Sequence, residues 1–220
     1  MVMHVLMALT AVAIGPAQAS AVIERPDLPR TGPATMDIAG VKLGMSPAEA
    51  RSALARAGYM VERIDETQDF EQQVVSEANV RLKGVGLMRS KPRGVSKIVA
   101  HGPGREYLAI DFAQWPAGSL VAVVYLTVPQ DRQASEAFRT QVAAKYGKAT
   151  LQPGGYEPKW CTIGDADCTI MSSPSLPNLS VSFPAQSLWL RYGEGVDRRR
   201  RQLVKAAVDA KVPPARRSAF

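Results

Sequence analysis

Two cysteines, one histidine in the body of the chain, a pair of aspartates and a run of four arginines are the residues whose types and spacing could do chemistry. Cys161 and Cys168 flank Gly164-Asp165-Ala166-Asp167, a turn-forming stretch. Their natural use is a disulfide clasping a hairpin, for which the loop-entropy relation gives about 2.5 kcal/mol. The competing uses are a redox pair, which favours Cys-x-x-Cys spacing, and a zinc site, which needs two further thiolate or imidazole ligands. His101 stands beside Gly102-Pro103-Gly104 at the end of an apolar run. A lone histidine in such a place is more often solvated than catalytic. Asp165 and Asp167 imitate part of a calcium loop but lack its other oxygen ligands, so they read as turn formers. There is no Gly-x-Ser-x-Gly, no P-loop and no His-Glu-x-x-His. No residue is therefore assigned a catalytic, metal-binding or cofactor-binding role. An enzyme built on carboxylates that only folding brings together is the remaining catalytic alternative.

The arginine run offers electrostatics instead. Between Val196 and Phe220, six Arg and two Lys face two Asp, leaving +6 of the chain's formal net charge of +7 there. The rest of the chain is close to neutral. Arg198, Arg199, Arg200 and Arg201 are expected in the first turn of a helix over 197–212, where the macrodipole disfavours cations. Charge placed against local stability suggests a partner: with Lys205, these residues are candidates for binding an anionic surface of lipid or lipopolysaccharide. The alternative is a solvated helix face that packs through Leu203 and Ala207. Nucleic acid is not expected as a partner, since no aromatic-interleaved basic motif accompanies the run.

The elements that must position these groups are legible in part. Gly40-Val41-Lys42-Leu43-Gly44-Met45-Ser46-Pro47-Ala48-Glu49-Ala50 reads as a short extended piece, a turn at Gly44 and a helix. Ser46 is its N-cap, Pro47 its first residue and Glu49 the partner in a capping box, with Met45 and Ala50 at the positions of a hydrophobic staple. Ala50, Leu54 and Ala57 mark its packing face and Gly58 its left-handed cap. A second helix is expected from Phe70 to about Leu82, followed by a loop over 84–94. Strands are expected over 95–101, 107–112 and 120–128, the last apolar on both faces and so covered on both. A helix over 135–146 packs through Phe138, Val142 and Tyr146. Four short strands (156–163, 168–171, 179–183 and 188–192) then form a meander. The helix over 197–212 sets Leu203, Ala207 and Ala210 on one side, with Val204 and Val208 adjacent. The order argues an α+β fold, helices on antiparallel sheet. Placing Glu49-Ala50 over Glu136-Ala137 brings Tyr59 over Tyr146, which raises two repeated helix-plus-meander units.

Near the N-terminus, Val5 to Ile14 is an apolar run far shorter than the ~20 residues that span a bilayer. Pro16 breaks it, and Ala17-Gln18-Ala19 supplies a small-x-small cleavage site, so residues 1–19 read as a signal peptide cut between Ala19 and Ser20. The run of Met1-Val2-Met3-His4 lacks the usual positive charge of such a segment. Residues 20–36, with Pro26, Pro29 and Pro33, form a linker. The domain is expected over 37–212, with halves at 37–130 and 131–195 plus the last helix, and 213–220 as a disordered tail. An oxidising, exported compartment suits the two cysteines.

The capped-helix stretch, with its Gly-x-x-Leu-Gly-Met-Ser start and closing Gly58-Tyr59, resembles that of BamE/SmpA-type outer-membrane assembly lipoproteins and of β-lactamase inhibitor proteins. The resemblance covers about twenty residues, with Lys145-Tyr146-Gly147 a looser second match. It implies a helix-plus-antiparallel-sheet unit that binds other proteins without catalytic apparatus. The lipid-bearing cysteine of the lipoprotein type is missing after the apolar run. The expectation is a periplasmic or secreted soluble protein that binds another envelope protein, or else an anionic membrane surface. Oligomeric state is left open.

Overall fold

The computed structural model describes residues 24–84, 90–130, 132–152 (side chains from 135), 157–166, 168–169 and 174–212. The expected signal segment with Ala19 and Ser20, the expected tail over 213–220 and Asp167 lie outside them. The fold is α+β, with helices on antiparallel sheet.

The chain enters through a 3-10 turn, Gly32–Thr35, and a hairpin of β1 (Asp37–Ile38) and β2 (Val41–Lys42). Ala39 and Gly40 both have positive φ, as a two-residue type I′ connection requires. Helix α1 (Pro47–Arg56) then starts as its residues dictate. Ser46 Oγ accepts from the Glu49 amide at 3.3 Å, and Glu49 Oε2 accepts from the Ser46 amide at 2.7 Å. At the other end the Tyr59 amide reaches Leu54 O and the Gly58 amide Ala55 O, a Schellman closure around Gly58 at φ 78°. The buried face is Ala50, Ala53 and Leu54, not the expected stripe through Ala57, because Ala57 is already the C-cap and faces solvent.

Strand β3 (Met60–Thr67) follows, then α2 (Phe70–Lys83), β4 (Gly94–His101), β5 (Tyr107–Trp115) and β6 (Gly118–Thr127). Helix α3 (Arg132–Tyr146) leads to β7 (Lys159–Cys161), β8 (Asn178–Ser182), β9 (Ser187–Arg191) and α4 (Glu194–Lys211). The strands form one seven-stranded antiparallel sheet in the order β3-β4-β5-β6-β9-β8-β7. Two meanders thus meet where β9 pairs with β6. Beyond that pairing, backbone bonds between Val121 and the Gly44–Met45 peptide lay the turn before α1 against β6.

One sheet face carries Ile98, Ala100, Leu108, Ile110, Val124, Leu179, Val181 and Leu190, all fully buried. Against it pack Ala50, Ala53 and Leu54 of α1 and Phe138 and Val142 of α3. Lys145 Nζ to Asp37 Oδ1 (2.7 Å), Tyr146 Oη to Asp37 O (2.7 Å) and Trp160 Nε1 to Tyr146 O (2.9 Å) pin the end of α3. Helices α2 and α4 form a smaller core of Val74, Ala78, Val204 and Val208.

Four expectations need correction. Strand β3 was not foreseen, because an edge strand with mostly exposed side chains has no burial periodicity to read. Cys168 and Thr169 are not in a strand; 170–171 lie outside the described residues. Helix α4 begins at Glu194, three residues early, so Glu194 and Asp197 occupy its first turn and the arginines fall beyond it. The dipole penalty inferred for Arg198–Arg201 therefore does not arise. Its packing face runs through Val196, Val204 and Val208 with Leu203 and Ala207 partly buried beside them, and of the expected residues Ala210 alone is exposed.

Candidate protein-binding face

The second face of the sheet is organised by register. Because side chains alternate, residues paired across successive strands stand in rows on one face. Met60, His101, Tyr107, Thr127 and Ser187 make one row. Arg63, Val99, Ala109, Tyr125, Trp189 and Ser180 make the next. Asp65, Lys97, Asp111, Val123, Arg191 and Asn178 make the third, with Cys161 at its end.

Four rings cross the first two rows as a ladder. Ring centroids lie 5.8 Å apart for His101 and Tyr107, 6.4 Å for Tyr107 and Tyr125, and 4.0 Å for Tyr125 and Trp189. The first two contacts are edge-on at 65° and 66°, a geometry the ring quadrupole favours. Rings inclined in this way brace one another. Val99, Ala109 and Ser180 form a floor of short side chains between them. Exposure stays high above that floor: 75% for Met60, 37% for Tyr107 and 39% for Trp189. The expectation that the strand over 120–128 is covered on both faces is thus corrected. Its second apolar side, with Val123 and Tyr125, is only half-buried and belongs to this ladder.

Charges frame the rings in matched pairs. Lys97 Nζ meets Asp111 directly across the strands at 3.2 Å, and Arg63 meets Asp65 at 3.1 Å. Arg191 Nε donates to Asn178 Oδ1 at 3.1 Å. A register shift between Val61 and Arg63 turns Glu62 outward, where its carboxylate lies 2.7 Å from His101 Nε2. His101 is the last residue of β4, half-exposed as expected, and forms the outer rung of the ladder. Exposed pairs of this kind add ~0–1 kcal/mol each to stability. Their effect is to border the rings with polar groups on the third-row side and at the β3 edge, where Met60 also stands, a polar margin beside an aromatic centre of the kind found at protein-docking surfaces.

The cysteines expected to pair do so, with Cα atoms 6.2 Å apart. The candidate cationic residues separate. Four consecutive helical positions spread around the axis, so they cannot share a face. Arg199 pairs with Glu24 at 2.7 Å, Arg200 is half-buried, and Lys205 pairs with Asp209 at 2.7 Å. Arg198 and Arg201 are exposed and lie on one side with Lys205. Of the two turn aspartates, Asp165 accepts a hydrogen bond from the Leu176 amide at 2.9 Å. Among the described residues no three His, Cys, Asp or Glu side chains cluster as a metal site, and no helix is long and apolar enough to cross a membrane.

Met60, Tyr107, Tyr125 and Trp189 escaped sequence reasoning as a group. The one available hint was the alternation in 107–112, which sets Tyr107 and Asp111 opposite Leu108, Ile110 and Phe112. Comparison with family models, with curated proteins and with solved structures finds no match.

Proposed function

We propose that this chain is an exported, non-catalytic protein that binds another envelope protein through the open sheet face. The observation that carries the reading is the ladder of His101, Tyr107, Tyr125 and Trp189, half-exposed and framed by paired charges. Large rigid side chains anchor protein interfaces at low entropic cost, and a polar rim supplies orientation. The capped α1 and its resemblance to envelope binding proteins support the same reading. The apolar run with its Ala19–Ser20 site supports export. The test places a photoreactive amino acid at Tyr107 or at Arg201 of the full-length protein in its native envelope. Adducts to one discrete protein from position 107 support the reading; adducts only from position 201 refute it.

A second reading rests on Arg198, Arg201 and Lys205, which share a side of α4. Such a stripe binds anionic lipid or lipopolysaccharide with about 1 kcal/mol per cation near the surface. It predicts vesicle association that weakens with salt and disappears in an Arg198→Glu, Arg201→Glu variant. Salt-independent binding, or equal binding by that variant, refutes it.

A further inference from the structure

Helix α4 starts without a cap of its own. Its N-cap is Gly193, which has no side chain to accept from the first turn. The first amides of a helix need acceptors from elsewhere. Here the Glu194 amide donates to Pro174 O at 3.0 Å and the Gly195 amide to Ser175 O at 2.9 Å. The fit is close enough to exclude any side chain at the cap. A Cβ at Gly193 would lie 2.1 Å from the Ser175 carbonyl carbon, and one at Gly195 would lie 2.7 Å from the Ser175 oxygen.

The capping segment is itself held from one place. The Leu176 amide donates to Asp165 Oδ2 at 2.9 Å, and Thr162 Oγ1 donates to Pro177 O at 2.9 Å. Both side chains belong to the loop that the Cys161–Cys168 disulfide closes. Inside that loop the Asp165 amide bonds to Thr162 O and the Cys168 amide to Asp165 O. Thr162 is buried, whereas Ile163 at the turn is 90% exposed.

We infer that the disulfide-closed loop is the remote N-cap of α4, holding Pro174 and Ser175 through Asp165 and Thr162. The seating of the helix start is then set by the state of a loop more than twenty residues earlier in the chain. Whatever opens the bond or breaks the Asp165 and Thr162 contacts loosens the first turn of α4. Asp165, read from sequence as a simple turn former, acquires a second task in holding the 174–177 segment.

The test is hydrogen exchange on the full-length oxidised protein and an Asp165→Ala variant with the disulfide intact. Loss of a helix cap corresponds to about a five- to tenfold rise in local opening. That rise is expected at residues 194–197 and at Leu176, with α2 and β4–β6 unchanged. Unchanged exchange at 194–197, or an equal rise throughout the chain, overturns the inference. The wild-type protein treated with a phosphine reductant provides the second measurement and needs no substitution. Faster exchange at 194–197 is expected there too; a rise confined to 161–169 overturns the role of the disulfide.

Discussion

Trp189 and Trp160 show how one residue type serves two ends in this sheet. Trp160 is 5% exposed, packs in the main core and donates to Tyr146 O. Trp160→Ala should therefore cost about 3–5 kcal/mol in denaturant unfolding. Trp189 stands on the open face, 39% exposed, stacked on Tyr125. Trp189→Ala should cost less, because part of its ring area is already in water. Equal losses for the two would remove the distinction between core and binding face. Asp37 offers a test by titration. Burial pushes its carboxyl up, but the Lys145 ammonium and the Gly40 amide more than offset this and hold it below its ordinary value of 3.8. A lowered folded-state pKa means stability that is complete above the ordinary value and is lost as pH falls through the folded one. Acid unfolding should thus be less steep below pH 3.8 in Asp37→Asn than in the wild type. Identical slopes would show that the Lys145 pairing contributes nothing.

At the scale of elements, caps decide where helices begin. Ser46→Ala should destabilise by ~1 kcal/mol, since the Glu49 amide loses its acceptor. Helix α2 carries a second capping box, Asp69 with Gln72, and there the second partner does more. Gln72 is 3% exposed; its Nε2 donates to Ser90 Oγ and Lys91 O, and its Oε1 accepts from the Arg93 amide. Gln72→Ala should cost about 1–3 kcal/mol, because several buried groups lose partners together. Thermal or urea unfolding that ranked Ser46→Ala as the costlier change would contradict this. These elements also show what a sequence discloses. Helix α1 was readable at both ends because its caps lie within a few residues of it. Helix α4 was not: its acceptors come from Pro174 and Ser175, about twenty residues away, and Gly193 looks like a break rather than a start. Strand β3 was missed because Glu62, Arg63, Asp65 and Glu66 give it the composition of a loop. As an edge strand with two register shifts, it has little need of an apolar side.

For the whole molecule, the α+β class followed from the order of helices and strands, but the candidate site did not. His101, Tyr107, Tyr125 and Trp189 come from four strands, and their adjacency exists only once β9 pairs with β6 across the meeting of the two meanders. Register between strands more than sixty residues apart has no local sequence signature. The same topology leaves the core face to α1 and α3 and the aromatic face to solvent, which is the basis of the proposed binding role.

The most direct measurement compares two double variants with the wild type by quantitative crosslinking in the native envelope. One is Tyr125→Ala with Trp189→Ala; the other is Arg198→Glu with Arg201→Glu. Thermal melts first establish that both remain folded. The account predicts at least about a tenfold loss of a discrete protein adduct in the first variant, the scale of an interface anchor, and retention in the second. Retention of the adduct in the ladder variant, with its loss in the arginine variant, would contradict it.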